Sequence, residues 1–94
     1  MILNSIYFLK LRNHKMIFHN LLLICIFSLV YKYIAMNYGN EQDKKKFDSY
    51  ENCFYFTIVT QFSVGYGDIV PSSDAMKRVS IIHILLVFLI LALY

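Results

Sequence analysis

Apolar and polar positions divide this chain into a few stretches of distinct character. From Met16 to Met36 the apolar positions run almost unbroken, interrupted mainly by His19, Asn20, Ser28 and Lys32. At roughly 1.5 Å per residue, a helix over that stretch reaches about 30 Å, one crossing of a bilayer. A second apolar run, Val79 to Tyr94, is short by itself, but a helix begun at Asp74 reaches a similar length of about 30 Å. Ser73 is placed to cap that helix, and Asp74 favours its first turn. Residues 37–49 are polar, with Gly39, Asn40 and the Lys44-Lys45-Lys46 triplet balanced by Glu41, Asp43 and Asp48. They read as an exposed outer loop in which the lysines form a solvated face.

Tyr50 to Phe62 carries neither Gly nor Pro and begins at Asp48-Ser49-Tyr50-Glu51, a sequence with the form of a capping box. A helix over 50–62 is roughly 18 Å long, too short to cross. The spacing predicts a re-entrant helix, with a helix lying on the membrane surface as the alternative. Pro71 then turns the chain back toward the second crossing.

Composition agrees with a membrane class. A chain of 94 residues is one domain, and 59% hydrophobic content with 17% aromatic exceeds what soluble domains carry. The formal charge of +3 comes from scattered Lys and Arg rather than a block, so no nucleic-acid partner is expected. Met1 to Lys15 mixes apolar residues with Lys10, Arg12 and Lys15 and predicts an interfacial helix at the membrane surface, with a disordered tail as the alternative. A cleaved signal peptide is disfavoured, because the apolar run exceeds the usual h-region and no small-x-small site follows. Cys25 and Cys53 lack the spacing of a disulfide framework and are expected to be packed thiols. Histidines, cysteines and carboxylates show no metal-ligand spacing, and no serine has a paired base. The chain is not expected to be an enzyme or to hold a cofactor.

The most specific segment is Thr60-Gln61-Phe62-Ser63-Val64-Gly65-Tyr66-Gly67-Asp68. Alone, Gly65-Tyr66-Gly67-Asp68 is a tight turn, and a G-x-G-x-x-G phosphate loop fails at Val70. Its position between a short helix and a second crossing changes the weighting. Two glycines flanking one aromatic tolerate positive φ, which lets successive carbonyls turn the same way. Ser63-Val64-Gly65-Tyr66-Gly67 matches four of the five positions of the Thr-Val-Gly-Tyr-Gly filter, in which rings of carbonyls replace an ion's hydration shell.

From Met16 to Tyr94 the chain resembles the two-helix pore module of potassium channels, and its length resembles the miniature potassium channels of large algal viruses (Kcv type). The resemblance implies an all-α membrane protein: two transmembrane helices (16–36 and 74–94), an outer loop (37–49), a pore helix (50–62) and a filter (63–68), assembling as a homotetramer. It implies K⁺ sites at the carbonyls of Ser63, Val64, Gly65 and Tyr66 and at the Ser63 hydroxyl. Gly67 completes the filter, and Thr60, Asp68, Tyr55 and Phe56 support it. K⁺ is then the permeant ion rather than a cofactor, and the partners are the lipid bilayer and three further copies of the chain. Serine at 63 in place of the family's threonine keeps the hydroxyl and loses the methyl that restrains it. Val59 stands where some relatives carry a buried Glu, leaving Asp68 to pair with water or with the Tyr55 hydroxyl.

Other polar residues within the helices read as packing. His83 and Ser80 share a face of the second crossing, and His83 is expected to be satisfied by a neighbouring helix rather than to line the pore, as are His19 and Asn20. Lys32 is expected to snorkel to the outer interface beside Tyr31 and Tyr33. Three basic residues precede the first helix and five lie in the connecting region, so placing both termini in the cytosol rests on the resemblance rather than on charge. The resemblance also suggests a host-cell or virion membrane. With no arginine-rich helix and no Gly or Pro in the second crossing, a gate is expected in the filter or around Phe88 to Tyr94. A weakly selective cation channel and a non-conducting membrane hairpin or accessory protein are the competing readings.

Overall fold

In a computed structural model, which describes residues 14–62 and 64–93, the described residues form four helices and no strand. Helix α1 spans His14–Tyr38, α2 Glu41–Lys46, α3 Tyr50–Gln61 and α4 Asp74–Leu93. Helices α1 and α4 are both long and apolar enough to cross a membrane. Most of their apolar side chains point away from the rest of the chain: Phe18, Leu21 and Leu29 on α1, and Ile81, Leu85 and Phe88 on α4, are all exposed. A soluble protein would hide such faces, whereas hydrocarbon solvates them. The interfacial helix expected over 1–15 falls almost entirely on residues outside the described ones.

Short-range signals set the helix boundaries. The Ser49 hydroxyl accepts from the Asn52 N–H at 3.1 Å and caps α3, so the cap lies one residue later than the Asp48 expected from sequence. At the start of α4, the Ser73 hydroxyl accepts from the Met76 N–H at 3.3 Å. Helix α1 continues to Tyr38 rather than stopping at Met36, and Gly39 follows it. A Cβ at Gly39 would lie 2.5 Å from the Ala35 carbonyl oxygen and 2.8 Å from Asp43 Cβ, so glycine is needed there for space.

The outer segment is more ordered than the loop expected over 37–49. Asn40 and Asp43 form a reciprocal capping box that starts α2: the Asn40 side chain accepts from the Asp43 N–H, and the Asp43 carboxylate accepts from the Asn40 N–H. The same carboxylate accepts from the N–H groups of Ser72 at 2.8 Å and Ser73 at 3.0 Å. One buried side chain thus ties the outer segment to the start of α4. Burial pushes the Asp43 carboxyl up, but hydrogen bonds from Ser73, Ser72 and Asn40 outweigh it and hold its pKa below the ordinary value.

Helix α3 descends antiparallel to α1. Near its start, Lys32 of α1 lies over the Tyr50 ring, 5.0 Å from the centroid, and donates to the Asp48 carbonyl. Midway, Phe56 meets Tyr31 edge-on at 5.0 Å, and at its end Gln61 meets Asn20. The core of Phe27, Tyr31, Ala35, Phe47, Cys53, Phe56 and Met76 forms where α1, α3 and α4 meet. Aromatic pairs in such a cluster add about 0.5–1.5 kcal/mol each beyond area burial. Two expectations are corrected here. Tyr31 is not an interface anchor but fully buried. Cys25 is exposed on α1, and only Cys53 is packed.

Candidate functional site: the re-entrant helix and its loop

The C-terminal end of α3 reaches the depth of the middle of α4, because Gln61 hydrogen-bonds to His83 there. The segment that follows is therefore irregular backbone at membrane depth, tolerated only where it is surrounded by protein or lines a watery path. The Phe62 N–H donates to the Ile58 carbonyl at 3.0 Å, and the Val64 N–H reaches back to the Val59 carbonyl at 2.9 Å. These bonds close the last turn before the chain leaves the helix. Gly65 and Gly67 then take φ of 61° and 83°, a region where L-residues with a Cβ are strained. A Cβ would meet nothing within 4 Å at either position in the single chain, so backbone conformation, not space, selects glycine.

Tyr55 and Phe56, the aromatic pair of α3, face different ways. Phe56 is buried in the core against Tyr31 and Phe47. Tyr55 faces the loop: its hydroxyl donates to Asp68 at 3.0 and 3.1 Å, and its ring stacks on Tyr66 with centroids 6.3 Å apart and planes 7° apart. Of the two partners expected for Asp68, the structure thus supplies the phenol. Val64 to Asp68 are exposed within one chain, while Thr60 is half-buried. Ser63 lies outside the described residues.

Behind the loop runs a buried polar chain. The Gln61 amide nitrogen donates to the Asn20 carbonyl at 3.2 Å and to Asn20 Oδ1 at 2.9 Å, and Gln61 Oε1 lies 2.7 Å from His83 Nε2. On its other side, His83 Nδ1 lies 2.8 Å from the Tyr31 hydroxyl. His83 is fully buried and stacks on Phe27 with centroids 4.4 Å apart, in keeping with a packing role within the chain. Sequence reasoning misses Gln61. The available signal is an amide in the last turn of a helix entering the membrane, where polar side chains are costly.

A two-helix membrane hairpin holding a re-entrant helix and a glycine-bearing loop invites comparison with known proteins. The family model described as "Ion channel" matches residues 20–94. The chain belongs to this ion channel family. The channel is also 34% identical, over 76 residues, to "Potassium channel protein kcv" of Paramecium bursaria Chlorella virus 1, with 76% of this chain and 79% of the relative covered. Family membership and two apolar helices make the channel an integral membrane protein, and membership points to passage of ions as its work. Membership also sets aside the non-conducting hairpin.

Proposed function

We propose that this protein is a homotetrameric, potassium-selective channel that conducts K⁺ passively down its gradient. The observation that carries the reading is the pair of positive-φ glycines flanking Tyr66, following a short helix packed against the two crossing helices. Similarity to a relative named as a potassium channel supports it. Carbonyls of Ser63, Val64, Gly65 and Tyr66 from four copies, with the Ser63 hydroxyl innermost, stand in for the water around a dehydrated ion. A lone chain leaves them unshared, so the oxygen cage needs four subunits. Helix α3, with about half a negative charge at its C-terminal end, points at the cation awaiting entry. Thr60 and the Tyr55–Asp68 pair hold the filter from behind, and Phe56 anchors α3 to the core. Both termini lie in the cytosol, and the pore resides in a host-cell or virion membrane.

Purified protein in a planar bilayer tests this reading. Single-channel current reversing near the K⁺ equilibrium potential in mixed K⁺ and Na⁺ is expected from the native chain, and its loss from Gly65→Ala. Indistinguishable currents from the two would overturn the filter assignment. Serine at 63 favours one second reading, a weakly selective cation pore. A reversal potential close to zero in the same mixture, restored toward K⁺ by Ser63→Thr, would establish it instead.

A further inference from the structure

We propose that Gln61 couples both crossing helices to the inner end of the filter, so that displacement of α4 at His83 is transmitted to the pore through the Gln61 amide. The inference rests on the channel reading above and adds a positioning residue to it.

Donor and acceptor roles along the polar chain follow from its ends. The main-chain oxygen of Asn20 can only accept, so the Gln61 NH₂ group faces α1 and its carbonyl oxygen faces His83. His83 Nε2 therefore carries the proton and donates to Gln61, while Nδ1 accepts from the Tyr31 hydroxyl. Among the described residues, no buried side-chain polar atom lacks a partner. A sliding α4 would leave an unpaired imidazole and an unpaired amide where water cannot replace the lost bonds. Moving Gln61 together with His83 is the cheaper response.

The packing of α4 makes His83 the point from which such movement is felt. Met76 and His83 are the buried residues of α4. Beyond His83, an apolar groove of about 970 Å³ separates Ile84, Val87 and Phe88 from Met16 and Ile17 of α1. Within one chain Leu86, one turn beyond His83, still packs against the core, whereas Ile84, Val87 and Phe88 face the groove, so His83 and Leu86 are where movement of the inner half of α4 meets the rest of the fold. Gln61, the last residue of α3, stands two positions before Ser63, and the same groove reaches Gly65. A shift of the amide is carried by the main chain into the innermost ion site.

Two isosteric substitutions separate hydrogen bonding from packing. His83→Phe keeps an aromatic ring on Phe27 and loses both bonds; Gln61→Met keeps length and volume and loses its bonds to Asn20 and His83. Each variant and the double variant are reconstituted in planar bilayers beside the native chain, and closed-time distributions and unitary conductance are recorded. Expected is a change of about tenfold in mean closed time for each single variant, with the double variant no further from native than the larger single effect and conductance within about twofold. Multiplying effects, or closed times unchanged in assembled channels, would overturn the proposal. If Gln61→Met does not assemble, Tyr31→Phe, which removes one hydroxyl from the end of the chain, reads the same coupling: a shift of about threefold supports it and native closed times overturn it. A native chain that passes no K⁺ current would instead defeat the channel reading, which keeps the two failures apart.

Discussion

The Tyr55 hydroxyl lies 3.0 and 3.1 Å from the two carboxylate oxygens of Asp68, joining the middle of the re-entrant helix to the outer end of the glycine loop. The same tyrosine stacks on Tyr66, so one side chain braces the loop at two points. A Tyr55→Phe channel keeps the stack and loses the bond. Its expected behaviour is a change of severalfold in open-state lifetime with near-native unitary conductance, measured in single-channel recordings. Native lifetimes would mean that the bond has no part in holding the filter.

Gly65 and Gly67 are set by conformation. An alanine at either position carries a penalty of about 1–2 kcal/mol for left-handed backbone, with no collision in the single chain to add to it. Gly65→Ala and Gly67→Ala proteins should therefore still insert and associate, visible as native-like oligomer on gels, while losing K⁺-selective current. Loss of assembly with the current would point to a packing role instead.

Gly39 is governed by space. Alanine there would place its Cβ 2.5 Å from the Ala35 carbonyl oxygen, and overpacking against backbone costs about 1–3 kcal/mol. The expected result for Gly39→Ala is a lower melting temperature of the detergent-purified channel with filter properties retained in channels that survive. An unchanged melting temperature would show that the junction of α1 and α2 gives way easily.

Asp43 should make the outer segment sensitive to acid. Its carboxyl pKa is held below the ordinary value of 3.8, so its contribution to stability is fully present above that value and lost as pH falls through the lower folded one. Melting of the native channel should be insensitive to Asp43 titration at neutral pH and decline at pH below about 4. Asp43→Asn leaves the N–H groups of Ser72 and Ser73 with a weaker acceptor and should be less stable at pH 7 by about 1–3 kcal/mol. If the stability gap between the native and Asp43→Asn proteins is the same at neutral pH as in acid well below the carboxyl pKa, the carboxylate charge is not its source.

The two apolar runs, the short helix between them and the glycine pair beside an aromatic were legible because each is a local property. Run length decides whether a helix crosses, and only glycine sits easily at positive φ. The capping pair Asn40 and Asp43 was also legible in principle, three residues apart, and was hidden by the polar, lysine-rich character of its surroundings. What tertiary structure alone decided is which side chains meet: Tyr31 with His83, His83 with Gln61, Gln61 with Asn20, and Asp43 with the start of α4. Helices that are apolar nearly all round carry no stripe to say which face turns inward, so their rotation about their own axes is set by these few polar contacts between distant parts of the chain, and a linear sequence does not display it.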